Sequence, residues 1–235
     1  MLDTFGIWCK YHSHEMTDDV KPQKRAYRAV KRAEAVAQTR RGVLASAGAL
    51  FRAHGYTAVS MPAIAREAGV AVETIYRGFG SKAGLFKAVI DAVVAGGPAR
   101  AEVPVEDRPA IRAIIEETDP RRQLERYAAT QPGIHRRSGP LMRALSDAAA
   151  SDPTLRALWD DIEASRRTGQ GRFVGMLAKR GALRPDLTID EGRDGLWTLT
   201  SLAVHDMLVI TCGWSTERYE AWLADALKNL LLPRS

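Results

Sequence analysis

The stretch Ser60-Met-Pro-Ala-Ile-Ala-Arg-Glu-Ala-Gly69-Val-Ala-Val-Glu-Thr-Ile75-Tyr-Arg-Gly-Phe-Gly80-Ser-Lys82 constrains the fold more than any other part of the chain. Apolar residues recur in it at helical spacing, yet Gly69 and the Gly78-Phe79-Gly80 group cut the periodicity into short pieces, so brief helices must meet at sharp turns. Ser60 is a good N-cap for the first of them, which carries Met61, Ile64, Ala65 and Ala68, and Pro62 is tolerated because it falls in the first turn. Ala65 is small where two helices cross, Gly69 permits the left-handed turn, and Val70 with Ile75 fills the wedge between them. These four positions predict a helix-turn-helix.

The flanks extend it. Val43, Leu44, Ala47, Leu50, Phe51 and His54 share one helical face that Gly55 closes, and Ser81 caps a further helix holding Leu85, Phe86, Val89, Ile90 and Val93. Gly96-Gly97-Pro98, followed by Pro104 and Pro109, then breaks the periodicity and marks the entry into a second domain. Helical segments follow around residues 110–130, 139–150, 153–180, 189–210 and 216–231, with no strand alternation. Asp152-Pro153 and Gly181 punctuate them, Thr188-Ile-Asp-Glu191 matches a capping box, and Ser215 caps the last helix. The predicted fold class is all-α: a flexible basic arm over 1–38, a helix-turn-helix DNA-binding domain over 39–95, and a larger helical domain over 96–235.

A net charge of +6 and a pI near 9.5 favour an anionic partner without choosing among DNA, RNA, a membrane surface and an acidic protein. Placement of the charge narrows the choice. Lys21, Lys24, Arg25, Arg28, Lys31, Arg32, Arg40 and Arg41 precede the helix-turn-helix, as either a solvated helix face or a cationic arm that follows the DNA backbone. Cys9 and Cys212 lie far apart with no metal-ligand spacing, and His12 with His14 lacks a third ligand, so no metal or cofactor is expected. No apolar run approaches a membrane span and the first residues lack a basic secretory start, so a cytoplasmic protein without a membrane partner is expected; Met16 is an alternative start.

The second helix of such a unit enters the major groove with its N-terminal residues nearest the base edges. Glu73 suits a cytosine amino group, Val72 or the Thr74 methyl suits a thymine methyl, and Arg77 suits guanine or a phosphate. Ser60, Tyr76, Ser81, Lys82, Arg40 and Arg41 are read as further contacts to double-stranded DNA. Ser81 and Lys82 open a helix, where free N–H groups and the dipole favour an anion.

Gly69-Val-Ala-Val-Glu-Thr-Ile-Tyr-Arg-Gly-Phe-Gly-Ser-Lys82 resembles the signature of TetR-family regulators, and Leu50-Phe51-Arg-Ala-His-Gly55-Tyr56 is similar to the end of that family's first helix. The resemblance covers roughly residues 39–95. Ala71 departs from it where a capping Ser or Thr is usual, and Gly78 departs where an aromatic or imidazole side chain is common. What the resemblance implies is a homodimeric repressor on a palindromic operator, released by a small-molecule effector seated among the carboxy-terminal helices. It also implies a dimer built by the last two long helices, for which Leu202, Tyr219, Trp222, Leu223, Ala226 and Leu230 are candidates.

Trp159, Arg166, Trp197, His135 and His205 are the candidates for lining an effector pocket, with ordinary core packing, and surface charge for Arg166, as the competing explanation. Gly169-Gln-Gly171-Arg-Phe-Val-Gly175 is no nucleotide loop, because no strand precedes it and its flanks are helical. No nucleophile elbow, His-Glu-x-x-His pair or Walker loop is present, so the chain is not read as an enzyme. Two alternatives stay open: a constitutive DNA-binding protein without an effector, and an all-helical enzyme or ligand-binding protein.

Overall fold

The computed structural model describes residues 20–233, with side chains from Tyr27 onward. Cys9, His12, His14 and Met16 lie outside the described residues. The chain divides into two units, Met1–Thr39 and Arg40–Ser235.

Helix α1 spans Val20–Ala58 and departs from helical dihedrals at Gly55. The basic stretch read as a flexible arm is therefore helical from Val20 on. Ala, Lys and Arg are strong helix formers, and no glycine interrupts residues 20–41. In that first unit Tyr27, Val30 and Val36 are exposed, and Lys31 Nζ lies 4.9 Å from the centre of the Tyr27 ring.

The second unit continues with α2 (Met61–Ala68), α3 (Val72–Phe79), α4 (Lys82–Ala95), α5 (Pro98–Ala101), a 3-10 turn and α6 (Pro109–Glu116). It goes on with α7 (Pro120–Ala149), α8 (Pro153–Lys179), α9 (Ile189–Leu199), α10 (Leu202–His205), a π-helical stretch (Asp206–Thr211) and α11 (Thr216–Leu231). The fold is all-α, with no strand among the described residues. The caps form as the residue types dictate: Ser60, Ser81 and Ser215 accept from Ala63, Gly84 and Arg218, and Thr188 with Glu191 closes a reciprocal box. Ala71 makes no side-chain cap, and Gly69 takes φ 65°, as the turn requires.

Two apolar cores hold the unit. The first gathers Val43, Ala47 and Phe51 of α1, Ile64 of α2, Ile75 of α3 and Leu85, Phe86 and Val89 of α4, while His54, at the edge of the α1 stripe, is exposed. Leu141 and Leu145 of α7 and Leu155 and Leu158 of α8 join this core, so it crosses the boundary expected at residues 95–96. The second core unites Leu124 and Ala128 of α7, Val174 and Leu177 of α8, Leu196 of α9, and Tyr219, Leu223 and Leu227 of α11.

Helix α7 runs unbroken through residues 131–138, where Pro132 and Pro140 suggest an interruption. Each proline removes an N–H and crowds the preceding turn. Burial of Leu124 and Ala128 on one side and of Leu141 and Leu145 on the other keeps the helix going. The opposite happens over 189–210, which reads as one apolar helix but is broken at Thr200-Ser201. There the Thr200 hydroxyl donates to Leu196 O at 2.7 Å, and Ser201 caps a new helix by accepting from Val204 N at 3.2 Å.

Helices α3 and α4 meet closely. A Cβ on Gly84 would lie 2.3 Å from the Phe79 carbonyl oxygen, so backbone occupies the space of a side chain. Gly84→Ala is expected to destabilise the unit by about 1–3 kcal/mol through forced displacement of the α3 C-terminus, read as a lower denaturant midpoint at unchanged slope.

Candidate nucleic-acid interface

Of the α3 side chains only Ile75 is fully buried. Glu73, Tyr76 and Arg77 fall at i, i+3 and i+4, share the opposite face and are exposed. Tyr76 keeps 48% of its surface accessible although it is a large aromatic. Val72 and Thr74 are half-buried, and Val72 packs against the first core, which leaves it less to offer a base than its neighbours.

The start of α4 lies beside this face. The Ser81 hydroxyl is engaged as a cap, accepting from Gly84 N at 3.0 Å. Lys82 Nζ sits 4.3 Å from the centre of the Tyr56 ring and donates to Thr57 O at 3.4 Å. Partial burial pushes the Lys82 ammonium below the ordinary lysine value. Tyr56 stands in an aromatic cluster with Phe51 and Phe86, at ring distances of 5.8 and 5.2 Å. Ser60 is exposed at the start of α2, its oxygen turned to Ala63 N.

The two arginines named with these residues differ. Arg40 lies against the end of α3: Nη1 donates to Gly78 O at 3.2 Å and the guanidinium is 4.4 Å from the Phe79 ring centre. Arg41 is held by Glu102, Nε donating to Oε1 at 2.9 Å and Nη2 to Oε2 at 2.5 Å, and this pairing holds the Glu102 carboxyl below its usual range. A DNA phosphate would have to compete with Glu102 for Arg41.

Two contacts that the sequence gives no sign of tie α4 to the later helices. Arg137 of α7 donates from Nε to Val93 O at 2.7 Å and from Nη2 to Val94 O at 3.1 Å, adding to the bond that Val93 O accepts from Gly96 N at 3.2 Å. Lys87 of α4 pairs with Asp161 of α8.

The residues proposed to line a pocket fall into three places. Arg166 donates to Trp197 O at 3.1 Å, and Glu163 Oε2 accepts from both Arg166 and Trp197 Nε1. His135 and His205 have ring centres 4.6 Å apart, beside Tyr219. Trp159 packs against the first core instead. Burial, with His205, Arg166 and Arg143 nearby, pushes the His135 imidazole down to about 3 against the pull of Asp206.

Of the dimer candidates, Tyr219 and Leu223 are fully buried in their own second core, which removes them from any outer surface. The apolar stripe of α11 is wide because it serves this interior. Leu202, Trp222, Ala226 and Leu230 are half-exposed. Met207 at 55% and Ile210 at 65% exposure extend the outward apolar surface beyond the residues named from sequence. Among the described residues no helix is long and apolar enough to cross a membrane, and no group of three or more His, Cys, Asp or Glu is arranged to hold a metal ion. Cys212 is free and exposed.

Residues 43–89 match the model of the bacterial regulatory proteins of the tetR family. No curated protein matches the chain. A solved transcriptional regulator from Saccharomonospora viridis, in complex with choline, is 23% identical over 84% of this chain and 99% of its own, with a TM-score of 0.59. A TetR-family regulator from a Rhodococcus species is 17% identical over 82% of this chain and 98% of its own, at 0.62. Another, from Syntrophomonas wolfei, is 16% identical over 82% and 94%, also at 0.62. At these identities the likeness is one of fold.

His135 gives a pH dependence of known sign. Its folded-state value lies below the unfolded value of 6.5, so the unfolded chain takes up the proton first and stability falls as pH drops below about 6.5. Acidification from pH 7 to pH 5 is expected to cost about 2 kcal/mol through this residue. His135→Gln should remove that part of the slope in denaturation curves taken across the range.

Proposed function

We propose that this chain, by its amino-terminal domain a member of the tetR family of bacterial regulatory proteins, acts as a dimeric repressor that reads a palindromic operator and leaves it when a small effector binds. The observation that carries the reading is the exposed face of α3, with Glu73, Tyr76 and Arg77 in line and Lys82 beside them. A major groove about 12 Å wide accepts a helix presented in this way. Glu73, Thr74 and Arg77 contact base edges. Tyr76, Ser60, Ser81, Lys82 and Arg40 contact phosphates, Lys82 exchanging the Thr57 carbonyl for a phosphate oxygen.

Dimerisation uses the outward apolar surface of Leu202, Met207, Ile210, Trp222, Ala226 and Leu230, so that two copies of α3 reach successive grooves roughly 34 to 36 Å apart. The effector binds among α7, α8 and the helices that follow, near His135, Arg166, Trp197 and His205. That a structural neighbour holds choline supports a small-molecule ligand there. Release then runs through α4, whose C-terminal carbonyls are held by Arg137 and whose Lys87 is held by Asp161. A shift of α7 moves α4 and, through the tight Gly84 contact, α3.

Selection of bound fragments from a random duplex pool, followed by salt titration, tests the reading. Affinity is expected to fall by about 0.9 log unit per phosphate contact per decade of salt. Lys82→Ala should lower that slope by about one contact on every sequence, whereas Glu73→Ala and Arg77→Ala should change the preferred bases. A flat salt response, or base preferences untouched by either α3 variant, would remove α3 from the groove.

Arg137→Ala should speed amide exchange over residues 93–97 by about tenfold, the equivalent of one lost charge-assisted hydrogen bond, while α2 and α3 keep their protection. Unchanged exchange there would sever the proposed path from α7 to α4.

A further inference from the structure

We infer that His135, His205 and Tyr219 form the seat of an uncharged ligand that brings a hydroxyl group on an apolar body. The inference rests on the effector reading above and narrows it to one place and one chemistry. The three rings stand together, with centres 4.6 Å apart for the histidines, 5.1 Å from His205 to Tyr219 and 6.3 Å from His135 to Tyr219. His135 is 6% exposed and Tyr219 fully enclosed, yet His135 Nε2 and the Tyr219 hydroxyl have no hydrogen-bond partner among the described residues. Buried polar atoms are nearly always bonded, so two orphans in one cluster mark a place where something else completes them.

The charges nearby are already matched. Arg143 donates from Nε and Nη2 to the Asp206 carboxylate at 2.7 and 2.9 Å, and Asp206 in turn fixes His205 through Nδ1 at 2.9 Å. Arg166 is held by Glu163 at 2.9 Å. A charged ligand would enter without a free counter-charge, at the cost that unpaired buried charges carry. A hydroxyl needs none, since it can donate to one orphan and accept from the other. Tyr219 belongs to the second core with Leu124, Ala128 and Leu223, which suits an apolar remainder.

The helical hydrogen-bond ladder is incomplete in the elements that carry these rings, α7 lacking two N–H donors at its prolines although it runs on unbroken. His135 lies between Pro132 and Pro140 of α7, and His205 lies between the break at Thr200-Ser201 and the π-helical turn from Asp206. Such points, where the regular hydrogen-bond ladder is already broken, are where helices admit an inserted group.

The test is titration of the full chain with 1-hexanol, hexylamine and hexanoate, which share a body and differ in charge, followed by the imidazole resonances of His135 and His205. Hexanol is expected to produce saturable shifts, with the two charged probes at least about tenfold weaker. Tyr219→Phe should melt no lower than the parent, because the hydroxyl it removes has no protein partner, and should weaken hexanol by about tenfold. Equal response to all three probes, no saturable shift, or undiminished hexanol affinity in Tyr219→Phe each overturns the seat. A lower melting temperature for that variant with unchanged hexanol binding would assign the orphans to a resident water. DNA binding measured in parallel separates the two readings. Salt-sensitive duplex binding without hexanol binding sinks the seat alone, and hexanol binding without duplex binding sinks the regulator alone.

Discussion

The exposed face of α3 exists because the first core keeps so little of that helix. Ile75 is the one side chain of that eight-residue helix with no exposure, and the backbone contact at Gly84 fixes the helix from its C-terminal end. With one fully buried anchor, the partly buried Val72 and Phe79, and one close approach, the helix is located without being enclosed. A second large apolar residue at position 73 or 77 would bind it more tightly and would take away part of its exposed polar face. Firm placement and free presentation compete for the same eight residues, and the sequence settles the competition by burying Ile75 fully while leaving Glu73, Tyr76 and Arg77 exposed.

Much of this was legible in the sequence, because it is local. Ser60, Ser81, Thr188 and Ser215 announce helix starts through hydroxyls that need only a partner three residues on, and Gly69 announces a turn through the dihedral it alone takes easily. The outward spacing of Glu73, Tyr76 and Arg77 follows from helical period. What was hidden depends on neighbours distant along the chain. The pairing of Arg41 with Glu102 joins residues far apart in the chain, and Tyr219 and Leu223 read as part of an apolar dimer stripe until α7 and α9 cover them. The continuity of α7 through its prolines was hidden for the same reason, since packing at both ends outweighs local propensity. Arg137 carried no signal at all: its partners are backbone carbonyls, which every residue has.

Those carbonyls give α4 two attachments of different kinds. At its start, Ser81 caps the Gly84 N–H and Lys82 reaches Thr57 O and the Tyr56 ring. At its end, the guanidinium of Arg137 holds the carbonyls of Val93 and Val94, and midway Lys87 reaches Asp161. In the proposed release, a displacement of α7 reaches the junction with α3 through this fourteen-residue helix.

Helix α7 also supplies Leu124 and Ala128 to one core and Leu141 and Leu145 to the other, so neither core closes without it. This decides how the protein can be dissected. A fragment ended at Gly97, the natural cut suggested by the glycine pair, would strip Leu141, Leu145, Leu155 and Leu158 from the first core and leave its apolar floor bare to water. Such a fragment would self-associate, and its behaviour toward nucleic acid would report on sticky exposed surface rather than on the reader. Minimal pieces of this chain have to keep α7 and the first half of α8.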